Sequence, residues 1–123
     1  MTTDIEDYIL EHERLDVYQC VVEFIDVAAP IAASPPRGYG DLGRQLREAF
    51  SSMPLNIAEG YNDESEAQKS RFYNYARGSA LECAAVFDVL VRVDGIEQPD
   101  FRRGKQLLGR AVSMLTRMRE NPI

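Results

Sequence analysis

Apolar residues recur at spacings of three and four along most of the chain, the period of amphipathic α-helices. Proline, glycine and polar residues separate four such stretches. They predict helices over about 15–33, 41–59, 66–94 and 99–120. No strand pattern competes with them. The sequence therefore predicts one all-α domain over residues 1–123, folded as an up-down antiparallel four-helix bundle.

Several residues are expected to shape the helix ends. Thr3 and Glu6 have capping-box spacing, which predicts an extra helical turn over about 4–12. Pro30 is expected to kink the first helix or end it early, and Pro54 to bend the second. Gly60 is a plausible stop for the second helix, and Ser65 with Gln68 has the spacing of a cap for the third.

The third predicted helix has a wide apolar arc, wider than the stripe of about 100° that a bundle helix needs. The arc consists of Phe72, Tyr75, Ala76, Ala80, Cys83, Val86, Phe87, Leu90 and Val93. Its width predicts a second buried face, most simply against another subunit. Ser79 and Glu82 fall inside the arc, and a carboxylate buried there must find a hydrogen-bond donor.

The polar residues at the edges of these apolar stripes have two interpretations. Asn56, Glu59, Ser79 and Glu82 could form a hydrogen-bond network that fixes helix register, the reading we favour. Alternatively, Glu59 and Glu82 could form a carboxylate active site. Gly78 lies in a helix interior, where glycine costs about 1 kcal/mol relative to alanine, so we expect a close helix approach there.

Charge is distributed unevenly along the chain, whose net charge is −6. Residues 1–33 hold eight acids and one base, whereas residues 101–123 hold six bases and one acid. The asymmetry indicates either that the two ends pack side by side or that an acidic body has a basic surface. Arg103, Arg110 and Arg117 form one stripe on the fourth helix. They either pair with acids of the first helix or track phosphates.

The residue types needed for catalysis or metal binding are scarce. His12 is the only histidine, and Cys20 and Cys83 are the only cysteines, without zinc-binding or C-x-x-C spacing. We therefore expect no metal, no cofactor and no enzymatic activity. Two apolar-embedded thiols, an acidic N-terminus and the absence of a membrane-spanning run lead us to expect a reduced cytoplasmic protein.

Four strings of residues are similar to those of the four-helix-bundle family of bacterial proteins encoded in 23S rRNA intervening sequences. The two more specific strings lie in the second and third predicted helices. The four are Leu15-Asp16-Val17-Tyr18-Gln19, Gln45-Leu46-Arg47-Glu48-Ala49, Ser52-Met53-Pro54-Leu55-Asn56-Ile57-Ala58-Glu59-Gly60 and Ala76-Arg77-Gly78-Ser79-Ala80-Leu81-Glu82. The resemblance covers roughly residues 15 to 118 and extends to accessory proteins of diversity-generating retroelements.

This resemblance implies a protomer that assembles as a ring-shaped homopentamer, with no enzymatic activity. In the retroelement branch it also implies a basic ring that binds nucleic acid and a reverse transcriptase. The family's second-helix motif usually continues with a second basic residue, but here Glu48 follows Arg47. Together with the net charge of −6, this departure weakens the nucleic-acid implication and leaves the oligomer implication intact.

We therefore expect a non-catalytic homo-oligomeric assembly or adaptor protein, with itself and a further protein as partners. The expected structural and oligomer-contact residues are Asn56, Glu59, Gly60, Arg77, Gly78, Ser79 and Glu82. The alternative is a nucleic-acid-binding accessory factor. The residues expected to bind nucleic acid are Arg44, Arg47, Arg103, Arg110 and Arg117.

Overall fold

The computed structural model describes residues 9–123. In this part of the chain a short 3-10 helix, Glu11–Arg14, precedes four α-helices. They are α1 (Asp16–Ala33), α2 (Gly40–Asn62), α3 (Glu66–Arg92) and α4 (Gln98–Glu120). The described residues form no strand, and none of their helices combines the length and apolar character needed to cross a membrane. The predicted all-α class and its four helices are confirmed, whereas the capping box at residues 3–6 lies outside the described residues.

The residues expected to break helices do not end them, and the bends expected at Pro30 and Pro54 stay predictions. α1 runs through Pro30 to Ala33, and α2 runs through Pro54 and past Gly60. The prediction that α2 stops at Gly60 is therefore wrong. An interior proline removes one backbone hydrogen bond, and packing of the remaining helix face can offset that loss. The predicted cap of α3 is confirmed, because Ser65 Oγ accepts a hydrogen bond from the Gln68 backbone N–H at 3.3 Å.

The helices pack in a cycle, α1 on α2, α2 on α3, α3 on α4 and α4 on α1. Side-chain hydrogen bonds fix the direction of the α3–α4 pair. Ser70 near the start of α3 reaches the carbonyl of Arg119 near the end of α4, whereas Asp88 near the end of α3 accepts from Lys105 near the start of α4. These two helices therefore run antiparallel, as expected for short connections between neighbours in an up-down bundle.

The core is built from the apolar stripe of each helix. Phe24 of α1 and Phe87 of α3 meet at its centre, with ring centroids 5.2 Å apart. The largest fully buried side chains are Tyr73, Phe24, Phe87, Leu46, Met53, Ile57, Leu90, Leu107, Leu108, Leu115, Val17 and Val21. No charged or polar residue is buried among the described residues. The single chain thus has a dry apolar core, and its polar contacts lie at the helix edges.

Among the described glycines, the one with least room for a side chain is Gly104 of α4. A Cβ added there would lie 2.2 Å from the Phe87 ring, so only glycine fits against that aromatic side chain. The sequence-based prediction placed a close approach at Gly78 instead. Gly78 is exposed, and nothing lies within 4 Å of the position where its Cβ would be. The prediction of a close approach at Gly78 is therefore wrong for the bundle of a single chain.

Candidate functional site

A short chain of hydrogen bonds joins α2 to α3. Asn56 Nδ2 donates to Ser52 Oγ at 2.8 Å and to the Ser52 carbonyl oxygen at 2.9 Å. Ser79 Oγ in turn donates to Ser52 Oγ at 2.9 Å. The pairing brings Asn56 and Ser79 into one partly buried network through Ser52, which the sequence analysis missed. The spacing of four between Ser52 and Asn56 is a signal that could have identified it.

Glu59 and Glu82 do not join this network. Both side chains are exposed, and neither forms a hydrogen bond or an ion pair within residues 9–123. The expectation that the Glu82 carboxylate is buried in the apolar arc is wrong for the single chain. Because Glu82 lies on the outward side of α3, its carboxylate is solvated and needs no protein donor there.

Gly60 is a packing residue. A Cβ added at this position would lie 2.7 Å from Cε1 of Tyr73, so the ring lies directly against the α2 backbone. Tyr73 is fully buried, and its hydroxyl donates to the carbonyl oxygen of Ile123 at 2.9 Å. Burial raises the pKa of Tyr73 to about 12. The predicted arc named Phe72 and Tyr75 instead, but Phe72 is half-buried and Tyr75 is exposed.

Arg77 joins α3 to α4. Its Nε donates to Thr116 Oγ1 at 2.8 Å, and that hydroxyl donates to the Val112 carbonyl oxygen, also at 2.8 Å. The guanidinium therefore makes an interhelical contact at the edge of the core. Four of the seven predicted structural residues, namely Asn56, Gly60, Arg77 and Ser79, thus have partners within the chain. The other three, Glu59, Gly78 and Glu82, are exposed.

The arginine stripe on α4 divides into two parts. Arg103 forms an ion pair with Glu23 of α1, which agrees with the expected pairing between the acidic and basic ends. Arg110 and Arg117 are exposed and form no ion pair within the described chain, and Arg117 donates only to Ser113 of its own helix at 3.2 Å. The outer part of the stripe therefore keeps its charge available to solvent.

The two arginines predicted on α2 are also exposed. Arg44 pairs with Asp41 at 3.9 Å and with Glu48 at 3.1 Å, so two acids of its own helix offset its charge. Arg47 forms no ion pair within residues 9–123. Arg44 and Arg47 lie on α2, whereas the arginine stripe lies on α4, and the cyclic packing separates these helices. The five predicted nucleic-acid-binding residues therefore do not form one contiguous patch on a single chain.

A cavity of about 470 Å³ opens between the start of α1 and the end of α4. Its lining is mainly apolar, with Asp16, Arg117 and Asn121 as the polar residues. The lining comprises Leu15, Asp16, Val17, Met114, Arg117, Met118, Asn121 and Ile123. Since it holds no thiol, imidazole or hydroxyl nucleophile, this cavity offers no group suited to covalent catalysis.

Both thiols are unpaired and buried. Cys20 Sγ donates to the Leu107 carbonyl oxygen at 3.1 Å, and burial raises its pKa. Burial also raises the pKa of Cys83 to about 12, with a further contribution from the Glu82 carboxylate. His12 packs edge-on against the Tyr18 ring, with centroids 5.0 Å apart. Residues 9–123 contain no group of three or more histidine, cysteine and acidic side chains able to hold a metal ion.

These features define an all-α, four-helix class of protein whose two more specific sequence motifs lie on the adjacent helices α2 and α3. A family model described as 23S rRNA-intervening sequence protein matches residues 13–117. The chain belongs to this family, which confirms the resemblance seen in its motifs. A comparison with curated proteins finds no match.

Proposed function

We propose that the protein is a non-catalytic assembly protein that acts as a ring-shaped homo-oligomer, with five copies as the family resemblance implies. The observation that carries this proposal is the outward side of α3. Gly78 lies there in the middle of the helix with open space around it, and exposed Tyr75 and Leu81 lie three residues before and after it. A glycine at such a position weakens the helix and gains no contact inside its own bundle.

A contact with another subunit offsets both costs. A helix from a neighbouring copy can approach closely over a glycine, and it removes the flanking apolar side chains from water. Three motif residues have no partner within the described chain, and we assign them to the subunit contact: Glu59, Gly78 and Glu82. This account explains the residues that the packing of the single bundle leaves unexplained.

The absence of catalysis is part of the same proposal. It is supported by the state of the reactive groups, since both thiols are buried with raised pKa values and His12 packs against Tyr18. The two candidate carboxylates, Glu59 and Glu82, are exposed. A carboxylate pair needs a desolvated site to take on acid and base roles, and solvent contact removes that effect.

Native mass spectrometry of the untagged protein at low salt tests the assembly. We expect one species with five protomer masses, stable on dilution to micromolar concentration. A monomer at all concentrations would rule out the assembly role. A single oligomer of another size would support the assembly role but contradict the proposed number of five copies.

A second candidate function is nucleic-acid binding, and the charge of α4 favours it. The segment from Phe101 to Arg119 carries six basic residues and no acidic one. Arg110 and Arg117 are exposed on its outer side. A ring of subunits would repeat this basic ridge around its circumference, and repeated phosphate contacts add to affinity.

Binding of single-stranded RNA and duplex DNA at two salt concentrations tests this second function. We expect affinity to fall steeply with salt, and we expect Arg110→Glu with Arg117→Glu to weaken binding and to reduce the salt slope. Arg103→Glu is the matched control, because Arg103 already forms an ion pair with Glu23. Equal affinity in the wild type and the double variant would reject this function.

A further inference from the structure

Two exposed helix faces of the chain have complementary shapes. The α3 outer face consists of exposed residues spaced by three and four along that helix: Arg71, Tyr75, Gly78, Glu82, Ala85 and Val89. The α2 outer face has the same spacing and consists of Asp41, Arg44, Glu48, Ser51 and Leu55. Such spacing places each set along one side of its helix, where it can meet the side of another helix.

We propose that the α2 outer face of one copy packs antiparallel against the α3 outer face of the next copy, with Leu55 seated over Gly78. This inference rests on the homo-oligomeric assembly proposed above and names the surfaces that form it. The occupant of each face is therefore a second copy of this chain.

The side-chain sizes at the centre of the two faces fit this arrangement. Leu55 is 66% exposed, more than any other large apolar residue of the described chain, and Ser51 one turn away is small. Gly78 has no side chain, and nothing lies within 4 Å of its Cβ position. The exposed apolar side chains nearest to it on α3 are Tyr75, 44% exposed, and Leu81, 45% exposed, each three residues from Gly78. A projecting leucine thus meets a depression bounded by apolar side chains, as in knobs-into-holes packing.

Charge selects the antiparallel direction. With Leu55 at the level of Gly78, Asp41 and Arg92 lie the same fourteen residues away on each helix, so these opposite charges face each other at one end of the contact. The same register places Ser51 opposite Glu82, where the hydroxyl can donate to the carboxylate. A parallel contact in this register would place Glu48 beside Arg71, an attractive pair. It would also place Glu59 beside Glu82, a repulsive pair that the antiparallel contact avoids.

The same geometry leads to a closed assembly. The two faces belong to different helices, so the contact is heterologous and each copy has one of each face free for a further neighbour. Because the two faces lie on different helices of the bundle, they point in different directions, so successive copies are rotated relative to one another, as a closed ring requires. A small ring is the expected result.

Single substitutions on each face test the contact. We expect Leu55→Asp and Gly78→Trp each to raise the dissociation constant of the assembly at least about tenfold, as read from mass against concentration. Val22→Asp on α1 and Gly109→Trp on α4 are the matched controls, because Val22 is an exposed apolar residue and Gly109 is another helix glycine in open space. Circular dichroism verifies that each variant keeps its helix content.

Mixing the two variants tests whether the contact is heterologous. Leu55→Asp keeps an intact α3 outer face and Gly78→Trp keeps an intact α2 outer face, so an equimolar mixture should give a species of two protomers. A charge exchange gives an independent check. Asp41→Arg should weaken the assembly, and adding Arg92→Asp should restore it.

The outcomes separate this inference from the assembly proposal. If the wild type is monomeric at all concentrations, both are overturned. If the wild type is oligomeric and both Leu55→Asp and Gly78→Trp keep its mass, the contact is overturned and the assembly proposal stands. Variants that dissociate but do not combine when mixed would also overturn the pairing of these two faces.

Discussion

The ring of Tyr73 lies directly against the backbone of Gly60, leaving no room for a side chain at that glycine. A Cβ at position 60 would approach the ring Cε1 to 2.7 Å. The ring cannot move away freely, because its hydroxyl is held by the Ile123 carbonyl oxygen at 2.9 Å and the side chain is fully buried. This contact sets the distance between α2 and α3 at the end of the bundle where the two helices are joined.

Gly60→Ala should therefore destabilise the fold. We expect the free energy of unfolding to fall by about 1–3 kcal/mol, the usual cost of overpacking a core. Gly109→Ala is the matched control, since its Cβ has open space and the change should stabilise α4 by up to about 1 kcal/mol. Urea denaturation at one fixed protein concentration measures both. A Gly60→Ala variant as stable as the wild type would contradict this packing.

The hydrogen-bond network between α2 and α3 gives a second prediction. Ser52→Ala removes the hydroxyl that accepts from Asn56 Nδ2 and Ser79 Oγ. Ser79 then loses its acceptor, whereas Asn56 keeps the Ser52 carbonyl oxygen. We expect a loss of about 1–2 kcal/mol in the free energy of unfolding. Arg47→Ala on the same helix should change it by less than about 0.5 kcal/mol, because that side chain is exposed and forms no ion pair within residues 9–123. Equal losses in the two variants would count against a role for the network.

Helix periodicity correctly predicted the four helices, but it did not predict all of the contacts between them. Neighbouring residues differ by about 100° around a helix, so a small error in the centre of the apolar arc exchanges Tyr73 for Phe72 and Tyr75. The arc correctly included Ala76, Ala80, Cys83 and Phe87, which are buried. The contact of Gly104 with Phe87 joins residues distant in sequence, and no local pattern specifies which helix lies opposite a given glycine.

The same limit applies to the candidate site. Motif resemblance correctly singled out Asn56 and Ser79, yet their shared partner Ser52 depends on the packing of α2 against α3. The burial expected of Glu82 followed from treating the arc as fully covered. In the described chain the arc's outer edge faces solvent.

Stability should fall at alkaline pH through the thiol of Cys83. Its ordinary pKa is 9.0, and burial, with a smaller effect of Glu82, raises the pKa to about 12 in the folded chain. The unfolded chain therefore loses this proton first as the pH rises. Stability is unaffected well below pH 9.0 and declines as the pH rises from there towards about 12, at up to about 1.4 kcal/mol per pH unit.

Urea denaturation at a series of pH values from 8 to 10 checks this dependence. Cys83→Ala should reduce the slope of unfolding free energy against pH, whatever its effect on absolute stability. Tyr73 titrates in the unfolded chain around its ordinary value of 10.0, one unit above the thiol, so Tyr73→Phe is the control that should leave the slope almost unchanged up to about pH 9. An identical slope in Cys83→Ala and the wild type would show that this thiol does not control the alkaline loss.

The contact between Gly104 and Phe87 gives the largest predicted effect and can be tested by a double-mutant cycle. Gly104→Ala places a Cβ 2.2 Å from the Phe87 ring, which itself packs on Phe24 at a centroid distance of 5.2 Å. Overpacking of this kind should lower the free energy of unfolding by about 3 kcal/mol, at the upper end of its usual cost.

Phe87→Leu should by itself destabilise the core by leaving a cavity. In the Phe87→Leu background, however, the added methyl group occupies space that the ring has vacated. The double variant should therefore be more stable than the sum of the two single effects predicts, with a coupling energy of about 1–3 kcal/mol. Simple additivity would mean that the ring does not meet position 104 in solution, and that α3 and α4 pack at a greater distance there.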